Sequence, residues 1–89
     1  MIEKRLTIIN KLGLHARAAA KLVTTANQFE SDIRIARDDR EIDGKSIMSV
    51  MMLAASKGTE IELRIQGQDE HHALTALETL INNRFDEPE

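Results

Sequence analysis

The sequence predicts an α+β fold in which a four-stranded, mostly antiparallel sheet is covered on one face by three helices, in the order βαββαβα. Four short segments alternate polar and apolar residues, which is typical of strands with one solvent-exposed face. Three longer segments repeat apolar residues every three or four positions, as helices do. Because 89 residues support a single core, we expect residues 1–89 to form one domain, with a frayed acidic tail over about residues 84–89.

The chain begins with a predicted strand and a predicted helix. Residues 3–9, "EKRLTII", alternate well enough for a strand that turns Leu6 and Ile8 inward. The next periodic segment predicts a helix from about Ala16 to about Asn27. Its apolar stripe comprises Ala19, Leu22, Val23, Ala26 and Phe29.

A hairpin and a second helix are predicted next. Residues 32–43, "DIRIARDDREID", alternate around an aspartate pair that is typical of a turn. Ser46 is placed to begin the second helix, and Gly58 is placed to end it in the left-handed conformation common after helices.

The last strand and the last helix complete the order. Residues 59–67, "TEIELRIQG", show the cleanest alternation in the chain, which predicts a strand with one wet face. The final helix is predicted from about Glu70 to about Asn83, with Asp69 as a candidate cap. Its stripe comprises Ala73, Leu74, Leu77, Leu80 and Ile81.

Composition argues against several classes of function. A net charge of −3 without tryptophan or tyrosine opposes nucleic-acid binding by charge or by base stacking. The absence of cysteine excludes a disulfide framework, a zinc–thiolate site and a redox thiol, and it favours a reducing compartment, the cytoplasm. No apolar stretch approaches the roughly 18 residues of a membrane span, and no secretory signal is recognisable. We predict no metal site, no cofactor and no membrane partner.

His15 lies in "KLGLHARAAAKL", within a first segment of 21 residues that holds five basic residues and one acidic residue. A histidine before a helix is often only a solvated polar residue. At the N-cap, however, its ring would lie beside the free N–H groups of Ala16, Arg17 and Ala18, where the helix dipole favours an anion. Arg17 adds donors suited to phosphate, and Gly13 permits a tight turn and leaves room for a ligand.

A neutral imidazole can attack phosphorus through a ring nitrogen, and an ordinary histidine, with a pKa of about 6.5, is largely neutral at pH 7. The chain has no phosphate-binding glycine loop of the nucleotide-hydrolase type, no acidic cluster for Mg²⁺ and no second carboxylate for acid–base work. The sequence therefore predicts a residue that accepts a phosphoryl group and hands it on, not an enzyme.

The segment "DGKSIMSVMML" is the second informative motif. A capping role alone would explain Ser46. Three residues form the stripe expected to face the sheet: Val50, Leu53 and Ala54. Three others point elsewhere and predict a partner-docking patch, unless a neighbouring helix covers them: Ile47, Met48 and Met51. A phosphate on Ser46 would add about two negative charges at this patch and block association.

These two motifs together resemble the HPr family, the histidine-containing phosphocarriers of the bacterial phosphoenolpyruvate-dependent phosphotransferase system. "GLHARAA" is similar to the family's active-site signature. "GKSIMSVMML" and "KGTEIELRIQG" are similar to its regulatory-serine helix and last strand, and the resemblance covers essentially the whole chain. It implies an HPr-like open-faced β-sandwich with four antiparallel strands and three helices on one side.

The resemblance also implies roles for particular residues. Enzyme I would phosphorylate Nδ1 of His15, Arg17 would hold the phosphate, and an IIA-type domain would receive it. Ser46 matches the site used by the HPr kinase/phosphorylase. The patch of Ile47, Met48 and Met51 matches the family's partner-binding surface. Independently of the resemblance, the small side chains of residues 18, 19 and 20 are expected to keep the surface around the ring low, so that a partner can close over it, and Ala20 is a candidate partner contact. A monomer is expected.

Three positions depart from the family's pattern. Ala18 replaces a usual proline, which should be nearly neutral for the helix. Thr24 and Asn27 stand where many sugar-system members carry lysines, so the basic rim is weaker. A regulatory or nitrogen branch of the system is therefore an alternative to sugar uptake, as is a binding module that acts through the docking patch and does not need His15.

Overall fold

The computed structural model describes residues 1–89 and confirms the predicted order βαββαβα. The four strands are β1 (Ile2–Thr7), β2 (Asp32–Arg37), β3 (Arg40–Asp43) and β4 (Glu60–Gln66). The three helices are α1 (Ala16–Ala26), α2 (Ile47–Met52) and α3 (Glu70–Asn82). The strands form one sheet in the spatial order β1-β4-β2-β3, and every neighbouring pair is antiparallel.

Strand β4 is central and sets the register of the sheet. Its Ile65 lies opposite Ile2 of β1 and Ile33 of β2, and its Leu63 lies opposite Ile35 of β2. Because side chains alternate along a strand, the apolar residues of β4 all reach the helix-covered face, and Leu63 and Ile65 are fully buried. The opposite face carries charged residues, as the alternation predicted.

The helices α1 and α3 cover the sheet with the predicted stripes. The fully buried stripe members are Ala19, Leu22 and Ala26 in α1, and Ala73, Leu77 and Ile81 in α3, while the stripe residues Val23, Phe29, Leu74 and Leu80 are partly buried. Ala18, which is outside the predicted stripe, is also fully buried. These buried helix residues join the strand residues in one hydrophobic cluster of 19 buried side chains, so the sheet and helices share a single core. None of the helices has the length and apolar character that crossing a bilayer would require.

Helix α2 is shorter than predicted, because it ends at Met52 and not near Gly58. The reversal occurs at Ala54, whose φ of 55° is left-handed. The Arg37 guanidinium donates to the carbonyls of Leu53 and Ala54, at 2.8 and 2.7 Å. A cation at the negative end of a helix satisfies the carbonyls that a longer helix would have used. Ala54 is therefore exposed, which corrects its predicted inward position.

The segment of residues 84–89 is packed against the body, which corrects the prediction of a frayed tail. Phe85 is fully buried among the core residues. Arg84, Phe85 and Asp86 all have left-handed backbone angles, with φ between 53° and 64°, and form one tight turn. The Lys21 ammonium donates to the Phe85 carbonyl at 2.8 Å. Burial of this phenylalanine contributes about 1.5–3 kcal/mol. Hydrogen bonds of the tail to Lys21, Asn10 and His15 add to it, and together these contacts oppose the fraying of the segment.

Asp69 is the N-cap residue of α3, as predicted, but its side chain makes no capping hydrogen bond to the helix. Its carboxylate instead accepts hydrogen bonds from Glu30 N at 2.9 Å, from Ser31 N at 3.0 Å and from the Ser31 hydroxyl. Three donors from another loop satisfy a carboxylate better than one helical N–H does. Asp69 therefore ties the start of α3 to the loop between α1 and β2.

Candidate functional site

His15 is the N-cap residue of α1, as the sequence predicted. Its backbone is extended, with φ −74° and ψ 178°, and its side chain makes no capping hydrogen bond to the helix. About a quarter of the side chain, 26%, is exposed. The imidazole is therefore held at the surface, where another protein can reach it.

Three backbone amides beside the ring have no acceptor within the chain: those of Ala16, Arg17 and Ala18. The first helical hydrogen bond of α1 runs from Ala19 N to the His15 carbonyl, at 2.8 Å. No acidic residue occupies the first turn of α1 to compete for these donors. Free N–H groups at the positive end of a helix dipole bind phosphoryl oxygens well.

Arg17 is exposed and forms no ion pair or hydrogen bond within the chain. It lines a shallow pocket together with His15, Leu12 and Glu87. Its guanidinium is therefore free to place its fork of donors on an anion that approaches the ring.

The loop before His15 is held by a close backbone approach. Gly13 has a left-handed φ of 67°, and a Cβ placed on it would lie 2.6 Å from the Ala55 carbonyl oxygen and 2.8 Å from the Ser56 Cα. Leu14 N donates to the same Ala55 carbonyl at 2.8 Å. The predicted tight turn is confirmed, but the space freed by the glycine is filled by the loop after α2 and not by a ligand.

Two residues that the sequence did not single out complete the site. Asn10 is fully buried, and its amide donates to the Gly13 carbonyl at 2.8 Å and to Glu87 Oε1 at 3.0 Å. Glu87 Oε2 contacts His15 Nε2. The only signal in the sequence was the lone phenylalanine in "RFDEPE", which anchors the tail that carries Glu87.

Glu87 is ionised at neutral pH. Burial raises the pKa of this carboxyl, but the hydrogen bonds from Asn10 and His15, with the nearby charge of Arg17, outweigh burial and lower the pKa below its ordinary value. An ionised carboxylate only accepts hydrogen bonds, so His15 Nε2 must be the donor in their contact.

The tail also corrects the predicted basic setting of the site. Lys11 Nζ lies 3.4 Å from Glu89 Oε2, and Lys21 Nζ lies 3.9 Å from Asp86 Oδ2. The charge of the first 21 residues alone does not include the tail carboxylates, which lie beside two of these lysines in the fold. With the tail in place, Arg17 is the cation near His15 that has no carboxylate partner.

The second predicted region lies on α2. Ser46 is its N-cap, and the Ser46 hydroxyl accepts a hydrogen bond from Ser49 N at 3.3 Å. The three side chains of the predicted docking patch are exposed by 40%, 68% and 42%, in the order Ile47, Met48 and Met51. No neighbouring helix covers them.

Ala20 is half-buried on α1, which packs against α2. No hydrogen bond or ion pair joins Ser46 to the His15 site.

Comparisons with known proteins agree on one family. Residues 2–83 match the family described as "PTS HPr component phosphorylation site". The chain is 56% identical to the phosphocarrier protein HPr of Xylella fastidiosa, over 98% of each chain, and 59% identical to that of Pseudomonas aeruginosa, over 94% of each. Its fold superposes on the crystal structure of HPr-C-His from Thermoanaerobacter tengcongensis with a TM-score of 0.97, at 43% identity over the whole of both chains.

Proposed function

Because this chain belongs to the HPr family of phosphocarrier proteins, we propose that His15 accepts a phosphoryl group from phosphorylated Enzyme I and passes it to an IIA-type protein of the phosphotransferase system. The observation that carries the proposal is the set of three free amides beside the imidazole. A nucleophile that is reachable and lies next to unused anion donors is what transient phosphorylation requires. Arg17 adds a free guanidinium to these donors.

The residues near His15 also favour a carrier without turnover of its own. The site offers one nucleophile and several donors, and its two carboxylate side chains are already paired, Glu87 with Asn10 and His15, and Glu89 with Lys11. The group that delivers the phosphoryl and the group that removes it must then come from partner proteins. We further propose that the protein works in the cytoplasm as a monomer; its lack of cysteine supports a reducing compartment.

Phosphorylation by a bacterial Enzyme I with phosphoenolpyruvate tests this function. We expect one phosphoryl group per chain by intact mass, labile in acid and stable in alkali, because a phosphohistidine has that stability. His15→Ala should abolish labelling. The control, His72→Ala, removes an exposed histidine of α3 and should label fully. Labelling of His15→Ala at the wild-type rate would contradict the proposal.

A second candidate function is a regulatory one that uses the exposed residues of α2. The docking patch of Ile47, Met48 and Met51 presents flexible apolar side chains that adapt to different partners. A protein that acts only by docking does not need His15. Partner binding that is kept in His15→Ala and lost in Met48→Glu would favour this regulatory or nitrogen-branch role over sugar uptake.

Phosphorylation of Ser46 by an HPr kinase/phosphorylase would control this docking. Ser46→Asp keeps an acceptor at the N-cap of α2, so the helix should persist while negative charge is added next to the patch. We expect affinity for IIA-type partners to fall about tenfold or more in calorimetric titrations. Thr75→Asp, on the exposed face of α3, is the control that adds the same charge away from the patch. Unchanged affinity of Ser46→Asp for every partner tested would refute the switch.

A further inference from the structure

The contact between the tail and the imidazole has a chemical consequence for transfer. Glu87 Oε1 accepts from the Asn10 amide at 3.0 Å, and Glu87 Oε2 contacts His15 Nε2. The Glu87 side chain is only 11% exposed, so water competes weakly for either oxygen. Each carboxylate oxygen therefore has one assigned protein donor.

Asn10 fixes which oxygen serves which partner. The two groups that its amide nitrogen faces, the Gly13 carbonyl and Glu87 Oε1, are both acceptors, so both of its N–H bonds are used. Asn10 is fully buried and cannot turn away without losing both bonds. It therefore holds the Glu87 carboxylate in one orientation against the ring.

We propose that Glu87 selects the tautomer of His15: by accepting the Nε2–H bond it keeps the proton on Nε2 and leaves the lone pair on Nδ1, the nitrogen that is phosphorylated. This inference rests on the proposed function of His15. Nδ1 makes no hydrogen bond within the chain, so the lone pair is unoccupied. Glu87 contacts the ring at Nε2, away from the nitrogen that would carry the phosphoryl group, which makes it a positioning residue.

The transfer balances with this assignment. The Nδ1 lone pair forms the N–P bond while the bond between phosphorus and the leaving atom of the donor breaks, and that electron pair departs with the donor. No proton has to leave Nδ1, because none is there. The ring gains positive charge as the bond forms, and the Glu87 carboxylate at Nε2 lies against that charge. The reverse steps release the phosphoryl group to the acceptor.

Glu87→Gln gives a sharp test, because Asn10 also dictates the orientation of a glutamine amide. Asn10 offers only N–H groups, so the glutamine oxygen must face Asn10 and its NH₂ must face His15. His15 Nε2 then has to accept, and the proton moves to Nδ1. Glu87→Ala removes both carboxylate oxygens, so that His15 Nε2 has no partner in the chain and water alone determines the tautomer. The control is Glu89→Gln, since Glu89 pairs with Lys11 and not with the ring.

The tautomer is read directly by two-bond ¹H–¹⁵N correlation spectra of the unphosphorylated protein, at a pH where the ring is neutral. We expect wild type and Glu89→Gln to show a protonated Nε2 and an unprotonated Nδ1, and Glu87→Gln to show the reverse. Phosphorylation of Glu87→Gln by Enzyme I and phosphoenolpyruvate should be slower by about tenfold or more, with a smaller loss in Glu87→Ala. Amide fingerprint spectra check that each variant is folded.

Two outcomes would overturn the proposal. One is a protonated Nε2 in Glu87→Gln together with a wild-type rate of phosphorylation. The other is faster phosphorylation of Glu87→Ala, which would make Glu87 a block and not a positioning residue. Failure of the proposed function is distinguishable, because a wild-type protein that takes no phosphate from Enzyme I would leave the tautomer measurement intact.

Discussion

At the scale of single residues, Gly13 and Asn10 hold the loop before the histidine through features that few other residues offer. Gly13 lets the loop backbone approach Ala55 and Ser56 more closely than any Cβ allows. The Asn10 side-chain amide donates both of its hydrogen bonds inside the site, one to the Gly13 carbonyl and one to the Glu87 carboxylate. The position of the imidazole therefore depends on two residues that never touch a phosphate.

Gly13→Ala should destabilise the protein by about 2–4 kcal/mol, because left-handed strain adds to a clash with backbone atoms that cannot move away. Gly58→Ala is the matched control. Its φ of 91° is also left-handed, but a Cβ there meets nothing within 4 Å, so we expect about 1–2 kcal/mol from strain alone. Urea unfolding measures both. Equal losses in the two variants would show that the close approach at Gly13 does not matter.

At the scale of elements, the left-handed turn of Arg84, Phe85 and Asp86 connects α3 to the site. Three consecutive left-handed residues are unfavourable for a chain of L-amino acids, by roughly 1–2 kcal/mol each. The turn persists because it buries Phe85, and because Lys21 bonds the Phe85 carbonyl. It reverses the chain after α3 and so delivers Glu87 to His15.

Arg84→Gly should raise the free energy of unfolding by about 0.5–1 kcal/mol, since relief of left-handed strain exceeds the extra entropy that glycine brings to the unfolded chain. The Arg84 side chain is exposed and makes no ion pair, so no contact is lost. Arg84→Ala keeps the Cβ and the strain, and it should match wild type within about 0.5 kcal/mol. If urea unfolding shows that Arg84→Gly is less stable than Arg84→Ala, the backbone at position 84 is not strained.

At the scale of the whole molecule, Asp69 couples α3 to the rest of the fold and makes stability depend on pH. Hydrogen bonds from the Ser31 hydroxyl and from the backbone N–H of Glu30 and Ser31 lower the pKa of this carboxyl, although burial opposes them. A group whose pKa is lowered by folding stabilises the folded state above its unfolded pKa. That stability is lost as the pH falls through the folded value.

Asp69→Asn should therefore be less stable than wild type at pH 7, and the difference should shrink as the pH falls below the ordinary aspartate pKa of about 3.9 and through the lowered pKa of the folded state. Urea unfolding at several pH values measures this. Asp39→Asn is the control, because Asp39 is an exposed carboxylate of the hairpin turn without a hydrogen bond or ion pair. A difference between Asp69→Asn and wild type that stays constant across this range would contradict the coupling.

The elements that repeat a pattern were predictable, and the parts held by single distant contacts were not. The stripe of α1 and the alternation of β4 each involve several residues, so periodicity located them. The end of α2 depends on arginines from β2 and β3, and the tail depends on a buried phenylalanine and on contacts with Lys21 and Asn10. His15 and its amides follow from local spacing, whereas Glu87 reaches the ring from 72 positions away, a separation that no local pattern records.

The left-handed turn near the chain end also bears on synthesis. His15 and the helix that follows it leave the ribosome first, and the carboxylate that meets the imidazole emerges 72 residues later. A growing polypeptide can thus form an intact α1 and still lack the neighbour that holds the Nε2 proton. The reactive ring acquires this neighbour only after the segment beyond α3 has been made.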